Sequence, residues 1–202
     1  SRFIYGTAAT VAGTYLVSHD TVVANTQLWA TTSTDGGAIV STTDATGGER
    51  ISAQLIGSGF KCDFNRSMFF EIRVKVATVT GDAFFGMAVT GATDPHASRP
   101  AGFMAFTLTT DADIEYATGN ASAATASADS GYDITAATFT VLSLVWDGKS
   151  KVHFYKDGRK IAESTATIPT GLILSPVFTN ESNGAAEAMT IDYIMCAVER
   201  AS

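Results

Sequence analysis

Three observations predict an all-β chain, two antiparallel sheets closed as a sandwich or barrel. Short β-branched and aromatic runs alternate at period two. Turn signals rich in Gly recur every ~8–12 residues. No stretch carries a convincing helical period. The clearest region is TFTVLSLVWDGKSKVHFYKDGRKIAES, Thr138 to Ser164. It reads as three antiparallel strands joined at Asp147-Gly148 and Asp157-Gly158, because Gly tolerates positive φ and Asp bonds its own backbone.

Taken in order, Thr21 to Thr31 reads as one strand, followed by turns at Asp35-Gly36-Gly37 and Thr46-Gly47-Gly48. Glu49 to Ile56 alternates with Ile51, Ala53 and Leu55 on one face. Ser67 to Thr78 is the strongest single strand. Phe70, Ile72, Val74 and Val76 point one way, and Glu71, Arg73 and Lys75 the other. Ala83 to Thr90, Gly102 to Thr109 and Asp111 to Thr118 read as further strands, with a loop at Gly91 to Pro100. Gly119 to Ser130 is a flexible loop or a flat strand. Leu172 to Thr179 and Glu187 to Arg200 close the chain. In the last, Met189, Ile191, Tyr193, Met195 and Ala197 fall on one face by simple alternation.

The chain has 202 residues, 46% hydrophobic and only 16% charged, with 18 glycines and 4 prolines. That suits one domain over residues 21–202 and a surface of small neutral side chains, preceded by an arm or outer strand at residues 1–20. A net charge of −7 argues against nucleic acid, which needs clustered Lys and Arg. The densest basic group, Lys149, Lys151, Lys156, Arg159 and Lys160, decorates the hairpins and protects edges. No run approaches the ~18 apolar residues of a membrane span, and SRFIYGTAATVAGTYLVSH lacks a signal-peptide core. Cys62 and Cys196 read as two buried thiols, with a single bridge as the alternative.

The one constellation with catalytic character is Asp111-x-Asp113-x-Glu115, which alternation places on one strand face. Carboxyls about 5–5.5 Å apart serve retaining glycosidases. The triplet is similar to that of jelly-roll glucanases, where the nucleophile Glu stands at the place of Asp111. A solvated strand face is the plain reading, and calcium ligation by Asp111 and Asp113 a third. A glycan cleft also needs aromatic platforms, and Trp29 and Trp146 are far apart in sequence. His19, His96 and His153 share no metal or nucleophile spacing. The sequence therefore predicts no enzyme activity, no cofactor and no metal site.

WDGKSKVHFYKDGRKIAES with LILSPVFTNESNGAAEAMTIDYIMCAVER resembles the C-terminal half of concanavalin A-like, laminin G-like jelly-roll domains. Adding SMFFEIRVKVATVTGDAFFGMAVTGATD, residues 49–200 resemble tailed-phage virion structural proteins. That resemblance implies a two-sheet antiparallel jelly-roll sandwich and a non-enzymatic capsid decoration or cement protein on the exterior of the head. It implies the major capsid protein as partner and a homotrimer. The alternative is a carbohydrate-binding module of a tail fibre or secreted protein, although the calcium loop and stacking aromatics of sugar-binding relatives are missing. The apolar residues Phe3, Ile4, Tyr5, Tyr15 and Leu16 make the 1–20 segment the expected interface, either as an arm on a partner or as an outer strand of its own sheet.

Overall fold

The structure, a computed structural model, describes residues 15–20, 30–31, 38–43, 45, 47–55, 59–89, 100–124 and 126–200, with backbone alone for 15–20 and 30–31. Among these residues there is no helix; two antiparallel sheets face each other. One is nine-stranded. Its path runs β1 (Tyr15–Asp20), β4 (Arg50–Leu55), β15 (Ile173–Glu181), β7 (Asp82–Val89), β8 (Phe103–Leu108), β9 (Asp113–Asn120), β10 (Ala123–Ala124). Beside that path, β5 (Phe60–Lys61) pairs with β15 and β11 (Ala128–Asp133) with β9. The other is seven-stranded, in the order β14 (Arg159–Ser164), β13 (Val152–Lys156), β12 (Thr140–Trp146), β6 (Met68–Val76), β16 (Ala188–Val198), β3 (Ile39–Thr42), β2 (Ala30–Thr31).

The core fills the space between the sheets. From the seven-stranded side come Phe70, Ile72 and Val74 of β6, Leu142, Leu144 and Trp146 of β12, and Phe154 of β13. From the other side come Phe85, Met87, Met104, Phe106, Leu174 and Phe178. Phe154 meets Phe106 edge-on at 5.2 Å and Tyr116 at 5.1 Å. Burying each such side chain contributes about 1.5–3 kcal/mol. The period-two reading of Ser67 to Thr78 is met: Phe70, Ile72, Val74 and Val76 are buried, and Glu71, Arg73 and Lys75 are half-buried on the far side.

The hairpin turns differ from one another. Asp157 and Gly158 both have positive φ, 48° and 78°, the type I′ pattern of a two-residue hairpin. Asp157 also accepts the Val141 N–H at 2.9 Å, so the turn is tied back to the second strand over. Asp147-Gly148, expected as a tight turn, instead opens a five-residue loop, Asp147–Lys151, between β12 and β13. Asp147 Oδ1 accepts the N–H groups of Lys149 and Ser150, both at 2.8 Å, and of Lys151 at 3.0 Å. Gly148 has φ +73°, and a Cβ there would sit 2.9 Å from the Arg66 nitrogen.

Two further sequence expectations need correction. Gly119 to Ser130 is neither one loop nor one strand. It holds the end of β9, the short β10, and the start of β11, with Gly131 at φ +71° inside an irregular ladder. In β16 a bulge at Asp192 breaks the alternation: Ile191 pairs with Val74, but Tyr193 pairs with the adjacent Arg73. Met189 and Ile191 point to the core before the bulge. After it, Ile194, Cys196 and Val198 pack on the core, and Tyr193, Met195 and Ala197 turn outward. Also unforeseen were β3 and β5. Of Thr21 to Thr31 only β2 is described, and residues 91–99 of the expected loop, with Thr90 of the strand before it, lie outside the described residues.

Both cysteines are free; Cys62 is buried and Cys196 half-buried, its Sγ 3.9 Å from Met87 Sδ. Burial pushes both thiols up to about 12, helped at Cys62 by the charge of Asp63. At about pH 8, near the ordinary thiol value, a disulfide reagent should titrate no thiol in the native chain and both after denaturation. One fast native thiol would contradict this packing. For the bulge, Ile194→Lys should cost about 2–3 kcal/mol in a urea melt, whereas Met195→Lys should stay within about 0.5 kcal/mol. Uninterrupted alternation would give the reverse ranking.

Candidate functional site

Of the acidic triplet, Asp113 and Glu115 stand on β9. Asp111 lies off the strand, in the turn before it, where its Oδ1 accepts the Asp113 N–H at 3.0 Å. The expectation of three carboxylates along one strand face is thus corrected to two on the strand and one in a turn. Glu115 is engaged by the hydroxyls of Thr107 and Thr109, both at 3.2 Å. Across the ladder, Asp133 faces Asp113 and Asp129 faces Glu115. The Asp111 charge, followed by desolvation and by Asp129 and Asp133, raises the Asp113 carboxyl above its ordinary value. Among the described residues, no group of three or more His, Cys, Asp or Glu is arranged to hold a metal ion.

Glu115 shares the outer face of the nine-stranded sheet with a second apolar cluster. Phe84, Ala88, Phe103, Ala105, Ala117 and Val177 form it, and none is more than 1% exposed. Phe84 and Phe103 pack against each other at 6.0 Å. Around them, Ser52 and Thr179 share a hydrogen bond of 2.8 Å, and Gln54 donates to the Val89 carbonyl at 2.9 Å. At Gly86 an added Cβ would come within 2.2 Å of the Met104 carbonyl oxygen, so the strands meet there without side-chain space. The rings on this face are enclosed and offer no flat surface to a sugar.

The outer face of the seven-stranded sheet is open by comparison. Strand register lays out a row running Lys160, Tyr155, Ser143, Glu71, Met195 across β14, β13, β12, β6 and β16. Glu71 is the hub of its hydrogen bonds. It accepts the Ser143 hydroxyl at 2.8 Å and the Tyr193 hydroxyl at 2.9 Å. Burial, and then the bond to Glu71, raises the Tyr193 phenol above its ordinary value. Next to it Arg73 pairs with Asp192, the bulge residue, and lies 4.2 Å from the centre of the Phe139 ring, with Lys75 at 4.8 Å. At the hairpin edge, Glu163 accepts Lys151 at 2.7 Å and Lys160 at 2.6 Å; the two ammonium groups hold its carboxyl down at about 2. Met195, at the end of that row, is 48% exposed.

Of the residues expected at an interface, Tyr15 and Leu16 lie in β1, whose backbone pairs with β4 of the same chain, Tyr15 opposite Leu55 and Leu16 opposite Gln54. Phe3, Ile4 and Tyr5 lie outside the described residues. His153 is half-buried on β13 beside Glu163; His19 is on β1, and His96 is outside the described residues. Sequence reading missed the Glu71–Ser143–Tyr193 arrangement, because it depends on the Asp192 bulge bringing Tyr193 to the outer face.

No family model matches the chain, and no curated protein does. Solved structures do. A Bacillus licheniformis beta-glucanase superposes with a TM-score of 0.63 at 14% identity, covering 96% of this chain and 95% of that one. The carbohydrate recognition domain of Emp46p gives 0.62 at 10%, covering 91% and 88%. A sialidase gives 0.55 at 11% over 80% of this chain, which spans only 15% of the sialidase's length. This chain has the concanavalin A-like jelly-roll fold, which it shares with carbohydrate-recognition domains and glycoside hydrolases.

Proposed function

We propose that the chain is a non-enzymatic binding module whose ligand is a carbohydrate, held on the outer face of the seven-stranded sheet. The row through Glu71 carries this reading. A carboxylate with two hydroxyl partners, in one row with Tyr155 and the exposed Met195, combines the hydrogen-bonding groups and apolar surface that sugar recognition needs. Near-complete superposition on a carbohydrate recognition domain supports the same ligand class. The engagement of Glu115 by two threonines, and the displacement of Asp111 into a turn, support a module that binds without cleaving.

A second reading keeps a protein partner: a virion decoration subunit on a capsid exterior, touching the major capsid protein and trimeric. It draws support from the motif resemblance over residues 49–200 and from large apolar side chains left exposed, Phe64 at 61% and Ile173 at 58%.

A glycan array followed by calorimetry separates the two. The wild-type chain should bind a polysaccharide, and the pair of changes Tyr155→Ala and Tyr193→Ala should weaken it by about tenfold, as for loss of anchoring aromatic contacts. Binding to undecorated phage shells with no glycan bound would favour the decoration reading instead. Separately, the wild-type chain should release no reducing sugar from a β-glucan. Hydrolysis that vanished in the Asp113→Asn, Glu115→Gln double variant would overturn the non-enzymatic reading.

A further inference from the structure

β11 is a lightly buried strand paired to β9. Its side chains are exposed or half-buried, and Tyr132 is the one apolar residue within it that packs on the core. Both of its ends are pinned. Ile134, just after it, is buried and donates its N–H to the Ala112 carbonyl at 2.8 Å. Ser127, just before it, shares a 3.1 Å hydrogen bond with Thr107. Between the pins, register sets carboxylate against carboxylate: Asp133 opposite Asp113 and Asp129 opposite Glu115, with Asp111 beside them. Like charges directly opposed in a ladder destabilise the pairing. Among the described residues, Tyr116 stands opposite Ala128, the Gly131 N–H donates to Asp129 Oδ1 at 2.7 Å, and the Arg159 guanidinium of β14 lies 5.1 Å from the Tyr132 ring centre. Ionising Asp113 therefore adds like charge beside Asp111, Asp129 and Asp133.

We propose that β11 is an acid-latched edge strand, seated on β9 while Asp113, opposite Asp133, is protonated and loosened when Asp113 ionises. The sign follows from Asp113. Its carboxyl is raised in the folded chain, so the stability it lends to the seated strand is complete below the ordinary carboxylate range. It is lost as pH rises through that raised value. Loosening frees the backbone groups of β9 from Asp113 to Tyr116, a strand edge that an added strand could pair with.

Hydrogen exchange on the whole chain tests this, with rates corrected for intrinsic pH dependence. Protection of residues 128–133 should fall by roughly fivefold between about pH 3.5 and pH 7, while β12 keeps its protection. Salt at about 1 M, which shortens the screening length to about 3 Å, should restore part of it at neutral pH. Asp133→Asn and Asp129→Asn should each flatten the pH response. Equal protection at both pH values, a wild-type response in both variants, or loss of protection at β12 in step with β11 would each overturn the proposal.

Discussion

The seven-stranded sheet depends on β6 being paired on both sides while one complete row of its side chains is buried. β12 and β16 both take their register from it, opposite Met68 to Val74 on one side and Met68 to Val76 on the other. A one-residue slip of β6 against both neighbours would exchange Phe70, Ile72 and Val74 for Glu71, Arg73 and Lys75 at the core. The cost of burying those charges therefore sets the register of the neighbouring strands. What lies on the outer face follows from the same constraint. Glu71 meets Ser143 through this register and Tyr193 through the Asp192 bulge.

Much of this was legible in the sequence, and the limit has a physical form. Alternation reports which face a side chain occupies as long as the ladder is regular. It located β6, β7, β8, β12, β13 and β15 closely, because each of these is long or bounded by turn residues. It failed at Asp192, where a bulge inserts one residue and inverts every assignment downstream. Nothing in IDYIMC marks that insertion, since Tyr193 and Ile194 are equally plausible core residues. Short strands such as β5 escaped for another reason. Two residues carry no period, and their place is fixed by pairing with Ile173 and Leu174, far along the chain.

The candidate site shows the same limit. Residue types and spacing directed attention to Asp111, Asp113 and Glu115, because carboxylates at strand spacing resemble catalytic machinery. The structure brings two further carboxylates, Asp129 and Asp133, to the same ladder from a stretch that looked featureless. Meanwhile the nine-stranded sheet has a second buried side, where Phe84 and Phe103 pack among alanines and glycine. Its central strands are apolar on both faces, which composition alone reads as generic core. The open, chemically varied surface is the opposite sheet, assembled from residues spread from Glu71 to Met195.

The Asp157-Gly158 turn bears on how this protein ages. At Asp-Gly sequences the glycine nitrogen is unusually free to attack the aspartyl side chain, forming a succinimide that reopens mostly to isoaspartate. That product inserts a methylene into the backbone and shortens the side chain by the same atom. At Asp157 both changes would strike one contact, because its carboxylate holds the Val141 N–H and its own N–H donates to the Val141 carbonyl. The chemical lifetime of one dipeptide thereby becomes coupled to the order of β12, two strands in from the hairpin's edge. At Asp147 three backbone N–H groups grip the carboxylate and restrain it from the same cyclisation.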